Sequence, residues 1–165
     1  MKRALAVLAL YLAVSPFAVG QTMDGRRPRI GSGQDEEAIR KVLSDFVGAW
    51  NKHDAKAFSM VFAGDADFTN VRGVSAQGRA EVEKFHAPRF ATKFKDTHQT
   101  ITAVKIRFIK PDVAAVDARW EMTGAKTPEG KGIPLRKGLL NFVMTKEGET
   151  WFIAVMHNMD LPESQ

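Results

Sequence analysis

The chain contains no cysteine, so neither a disulfide nor a lipid-modified cysteine near the N-terminus can anchor it, and its stability must come from a packed core. No GxSxG elbow, P-loop or Rossmann fingerprint occurs. No two histidines stand four residues apart, and HxH and HExxH are absent, so no metal site is expected. A metal site would need His86, His157 and a carboxylate to converge. Internal repeats and low-complexity tracts are missing too. The longest apolar run, Ala4 to Val14, falls short of the ~20 residues that span a bilayer.

That short run has a different use. Lys2 and Arg3 precede it, and Ala18 and Gly20 sit at the −3 and −1 positions before Gln21, the pattern of a cleaved secretory signal. Residues 1–20 are therefore expected to be a signal peptide, with periplasmic or secreted localisation and no membrane association after cleavage. Residues 21–33 are polar, contain Gly and Pro and lack periodicity, as expected of a flexible leader. Cleavage removes two cations and lowers the formal charge from +5 to +3. Arg26, Arg27 and Arg29 lie in the leader, so the folded part is close to neutral. Aromatic and basic residues are not interleaved on one face, and nucleic acid is not an expected partner. With 165 residues in all, the rest forms one domain, 34–161.

Within it, Asp35 can cap a helix with Glu36 and Glu37 in its first turn. Ile39, Val42, Leu43, Phe46 and Trp50 form one apolar stripe. Asn51 ends that helix, and Asp54 caps a second that buries Phe58, Val61 and Phe62. Gly64 and Asp65 read as a turn into a strand over Ala66 to Val71, on which Phe68 and Asn70 share a face. A third helix starts near Gly78, with Val82, Phe85, His86, Phe90 and Phe94 toward the core and Pro88 inside it. Strands follow at Ile101 to Ile109, Val113 to Thr123, Gly138 to Thr145 and Thr150 to Met159. Turns at Lys110-Pro111-Asp112 and Glu147-Gly148 join them in pairs. This order predicts an α+β domain with helices on one side of a curved, mainly antiparallel sheet.

The segments AWNKHDAKAFSMVFAGDADFTNVRG, GRAEVEKFHAPRF, FIKPDVAAVDARWEMTG and WFIAVMHNMD resemble the nuclear transport factor 2-like superfamily, and within it the SnoaL-like branch, SgcJ/EcaC family. The resemblance covers Asp35 to Asp160. It implies a cone, with three N-terminal helices packed on a strongly curved sheet, commonly dimeric through the convex sheet face. Members include isomerases, dehydratases, epoxide hydrolases, polyketide cyclases and many proteins with no demonstrated activity. Asn70 resembles the position at which ketosteroid isomerases carry an aspartate base, and Phe46 that of their oxyanion tyrosine. An amide takes no proton at neutral pH and Phe has no hydroxyl, so both residues argue against that mechanism.

A cone of this kind encloses an apolar cavity with a few polar groups. Its expected binding residues are Trp50, Phe68, Asn70, Phe90, Trp120 and Asn158. Asn70 can contact a ligand or satisfy nearby backbone. His86, on the helix stripe with Phe90, can serve as acid or base or stand as a hydrogen-bonded core residue. His157 is the second catalytic candidate. It shares a face with Trp151, Ile153 and Val155, which turns Asn158 outward unless a bulge shifts the register. On the strand through Trp120, the simpler parity puts Val116, Ala118, Trp120 and Met122 inside and Asp117, Arg119 and Glu121 outside. The reverse would place a charged trio in the cavity. Asp65 and Asp67 do not form a carboxylate pair, since Asp65 reads as a turn residue.

The first functional expectation is an exported, cofactor-free pocket protein for a small apolar or amphipathic molecule, homodimeric by resemblance. The alternative is a cofactor-independent isomerase, cyclase or hydrolase using a pocket histidine. A third reading makes the fold a dimerisation or partner-binding module with its cavity filled by its own Phe and Trp.

Overall fold

A capping box starts the first helix. Ser32 is the N-cap, its hydroxyl accepting from the Asp35 amide, while the Asp35 carboxylate reaches back to the Ser32 amide. Asp35 is thus the third helical residue and not the cap. The computed structural model describes residues 31–127 and 129–162. The expected signal peptide and most of the leader lie outside them. Helix α1 runs Gly33–Asn51 and α2 Ala55–Met60, capped by Asp54 through the Ala57 amide. Strands β1 (Phe62–Thr69) and β2 (Ser75–Gln77) follow, then α3 (Gly78–Ala91). Four long strands close the chain: β3 (His98–Lys110), β4 (Val113–Thr123), β5 (Arg136–Glu147) and β6 (Thr150–Asp160).

Only α1 and α2 precede the sheet. The third helix enters after β1 and β2, which corrects the expectation of three N-terminal helices. The strands form one six-stranded sheet in the order β2-β1-β6-β5-β4-β3. All neighbours are antiparallel except β1 and β6, so the sheet is mixed. β2 was too short to read from periodicity, and β1 begins earlier than expected. Gly64 and Asp65, read as a turn, lie inside β1 where its pairing with β6 shifts register.

The helices cover the concave face because α1's stripe meets the sheet's inward residues. Ile39 and Phe46 are fully buried with Phe58, Phe62, Val116, Leu140 and Ile153, each worth about 1.5–3 kcal/mol in transfer from water. The start of α1 is tied to the far end of the sheet. The Asp35 carboxylate also accepts from Trp151 Nε1 and Lys146 Nζ, both at 3.0 Å. Together with the Ser32 hydroxyl, these donors hold Asp35 well below the usual carboxylate range. At the other end of the cone, Gly138 lies under Trp120. A Cβ there would sit 2.2 Å from the indole ring, so only glycine lets that ring lie flat on β5. On β4 the inward set is Val116, Ala118, Trp120 and Met122, all buried. Asp117 and Glu121 face out, accepting from Asn141 (2.6 Å) and pairing with Lys137 (3.1 Å) on β5. Among the described residues, no helix is long and apolar enough to cross a membrane.

Candidate functional site

Residues of α1, α2, β1 and α3 fill the cone's interior with aromatic rings. His86 sits at their centre, 2% exposed. Its ring centroid lies 4.4 Å from that of Phe58, 5.0 Å from Phe68, 5.1 Å from Phe85 and 5.5 Å from Phe90. Trp50 stands edge-on at 6.2 Å. Nδ1 lies 2.8 Å from the Val82 carbonyl one helical turn back. A carbonyl can only accept, so Nδ1 carries the proton and the ring is neutral in that tautomer. Burial pushes its pKa down from 6.5 to about 4; the Val82 bond partly opposes this, and the nearby Arg89 cation adds to it. At neutral pH the ring is therefore an uncharged member of an aromatic nest.

The other expected residues part company from it. Asn70 is not in the cone. It follows β1 in a tight turn, where its Oδ1 accepts from the amides of Arg72 (2.8 Å) and Val74 (3.0 Å). Its side-chain oxygen is thus spent on the β1–β2 turn, an Asx-type role. His157 is also turned away. A bulge in β6 between Ile153 and Val155 leaves Ala154 as an extra residue against β5. Parity then flips, so Trp151, Ile153 and Met156 are buried while His157 is exposed. The expected inward orientation of His157 is therefore corrected, and the sheet separates it from His86. The same shift brings Asn158 inward, where its Oδ1 accepts from Trp120 Nε1 at 2.9 Å.

Phe68 and Phe90 are buried in the nest, and Trp50 borders it. The Trp50 indole N–H donates to Thr97 Oγ1 at 3.2 Å, and Thr97 in turn donates to the Phe94 carbonyl. Trp120, 1% exposed, has Arg136 over its ring at 5.6 Å, and that guanidinium pairs with Asp160 at 2.6 Å. Each polar atom these side chains carry into the interior thus has a protein partner.

Open volume is found beside α1. A cavity of about 430 Å³ separates α1 from the start of β3, within the ~300–1,000 Å³ of small-molecule sites. Leu43 and Val47 line its helix wall, Ile101 and Val104 its strand wall, and Arg40 and His98 contribute to its lining. The two walls are pinned by a reciprocal pair. Asn51 Oδ1 accepts from the Gln99 amide at 2.8 Å, and Asn51 Nδ2 donates to the Gln99 carbonyl at 2.9 Å. The Gln99 side chain also lines the cavity, is 2% exposed, and its Oε1 has no hydrogen-bond partner. Sequence reasoning missed Gln99 because it started the strand at Ile101. The alternation Gln99–Ile101 would have revealed its inward parity. A second concavity of about 560 Å³ lies on the outer side near β1, β2 and β6, lined by Asp67, Thr69, Ser75, Gln77 and His157 among others.

A mixed six-stranded sheet curved around three helices, with a sealed aromatic interior and a side cavity, defines a nuclear transport factor 2-like or cystatin-like fold. The model of the SnoaL-like domain matches residues 43–151, and the chain belongs to that family. No curated protein matches it. Among solved structures, it is similar to an uncharacterised protein with a cystatin-like fold from Caulobacter vibrioides. That protein is 25% identical over 79% of this chain and 92% of that one, with a TM-score of 0.72. A domain of unknown function with a cystatin-like fold from Nostoc punctiforme is 27% identical, covering 80% of each chain, with a TM-score of 0.70. Hexachlorocyclohexane dehydrochlorinase LinA-type3 from Novosphingobium barchaimii is 13% identical over 76% and 86%, TM-score 0.69, a likeness of fold alone.

Proposed function

We propose that this chain is an exported, non-catalytic small-molecule-binding protein of the SnoaL-like family, SgcJ/EcaC branch, whose ligand sits between α1 and β3. The observation that carries this reading is the division of the interior. The nest around His86 is filled by its own rings, and the neutral imidazole has its one proton committed to Val82. Acid–base chemistry needs a second polar group converging on the same point. Asn70 and His157 supply none, since one is tied into a turn and the other lies across the sheet. The cavity beside α1 offers apolar walls and a few polar groups, the usual composition of a binding pocket. An apolar or amphipathic ligand suits it. Secretion follows from the N-terminal pattern, and a homodimer through the convex sheet face follows from the family resemblance.

The competing reading is a cofactor-independent isomerase, cyclase or hydrolase with His86 as acid or base. It keeps the one buried imidazole as its support. Nile red titrated into the chain spanning residues 21–165 separates the two. Binding should be abolished by Val47→Trp, which fills the cavity, and retained in His86→Gln, with far-ultraviolet circular dichroism confirming that both variants are folded. Undiminished binding to Val47→Trp contradicts the proposal. Turnover of any substrate that His86→Gln loses would establish the alternative.

A further inference from the structure

Gln99 stands apart from the other buried polar residues. Among the described residues, its Oε1 is the buried side-chain polar atom without a hydrogen-bond partner. Its backbone cannot move away to find one, because Asn51 holds both its N–H and its C=O. Three groups near it are committed. The Asn51 amide is spent on that clamp, the Trp50 indole on Thr97, and the Arg40 guanidinium on Glu36 at 2.7 Å. The cavity lining is then an apolar surface from Leu43, Val47, Ile101 and Val104, the Gln99 carboxamide, and the polar residues Ser44, His98 and Thr100. A buried, unpaired amide oxygen is costly unless a partner arrives. Such a site also rejects analogues that lack the matching group, because they leave the amide unpaired.

We infer that Gln99 is the specificity-determining residue of this cavity, selecting a largely apolar molecule that carries a hydroxyl or a carboxamide. This rests on the cavity assignment made above and adds the chemical class of the ligand. Both groups donate and accept, so they pair with either end of the Gln99 amide. The apolar walls hold the body of the ligand, and the Gln99 amide fixes its orientation.

The test compares 1-naphthol with 1-methoxynaphthalene, which has the same ring system but no donor. Each is titrated into ¹⁵N-labelled wild-type and Gln99→Leu protein and followed by amide chemical shifts. Naphthol should perturb Val47, Asn51, Gln99 and Ile101 and bind wild type roughly five- to tenfold more tightly than the ether, the span of one neutral hydrogen bond. Gln99→Leu should erase that preference while still binding both probes. Equal affinity of the two probes for wild type, at the same residues, would overturn the role of Gln99 and leave the cavity assignment standing. Perturbations centred instead on Phe58, His86 and Phe90, or on Asp67 and His157, would overturn the cavity itself. Absence of any saturable shift up to millimolar probe would remove both. As a readout independent of ligand, Gln99→Leu should raise the melting temperature, since it deletes an unpaired buried oxygen.

Discussion

Two regions of this molecule each bury one polar side chain among apolar neighbours, and they differ in how that side chain is satisfied. His86 lies in a nest of rings with its N–H given to the carbonyl four residues earlier on its own helix. Gln99 lies at the edge of an open cavity with its oxygen unpaired. The first arrangement commits the ring's one proton within the protein. The second is complete only when something else arrives. A buried histidine attracts attention as a catalyst, but its local pairing and filled surroundings favour the structural role proposed above. The glutamine, unremarkable by type, holds the unmet hydrogen bond.

The contrast breaks most visibly in stability. Phe58 is fully buried and packs on Phe46, Trp50, Phe62, His86 and Phe90. Phe58→Ala should cost about 3–5 kcal/mol in urea unfolding. Ile101→Ala, on the half-buried wall of the cavity, should cost less than about 2 kcal/mol because its neighbours are already loosely packed. Similar losses at the two positions would mean that the cavity is as tightly filled as the nest.

Acid should weaken the nest through its histidine. Between the ordinary pKa of 6.5 and the folded value of about 4, the unfolded chain takes up a proton that the folded chain refuses. Stability is therefore full above about pH 6.5 and falls as pH drops toward 4, by about 3 kcal/mol from this group. Asp35 acts in a separate range. Its depressed pKa contributes stability above the carboxylate's ordinary 3.8 and loses it only in stronger acid. Unfolding curves at pH 7 and pH 4.5 for wild type and His86→Gln should show the slope shrinking in the variant. An unchanged slope would place the acid sensitivity elsewhere.

The smallest effect has the opposite sign. Gln99→Met should stabilise the ligand-free protein by about 1 kcal/mol, because an unpaired buried amide costs ~1–3 kcal/mol and the thioether fills similar space. A destabilised Gln99→Met variant would indicate that the amide is paired in solution. It would place Gln99 alongside His86 as a structural residue.

Much of the fold could be read from periodicity. The stripe from Ile39 to Trp50, the Asp54 cap and the Glu147-Gly148 hairpin all stand where the spacing indicates. The inward set around Trp120 follows the simpler parity. The site was less legible because its key facts are non-local. The parity that placed Asn70 with Phe68 assumed that the strand continues, whereas β1 ends at Thr69 and Asn70 turns the chain. One extra residue at Ala154 reversed His157 and Asn158, and a bulge has no signature in the alternation of Trp151, Ile153 and Val155. Gln99 became visible only through its surroundings, since an unmet hydrogen bond is a property of neighbours and not of residue type.

The central claim is that the ligand occupies the cavity between α1 and β3 and leaves the nest around His86 closed. A crystal structure of the protein purified from its native host tests this most directly. Density for a co-purified molecule is expected between Val47 and Ile101, with a polar atom within hydrogen-bond distance of the Gln99 amide. Density beside His86, with the rings of Phe58 and Phe90 moved apart to admit it, would contradict the account.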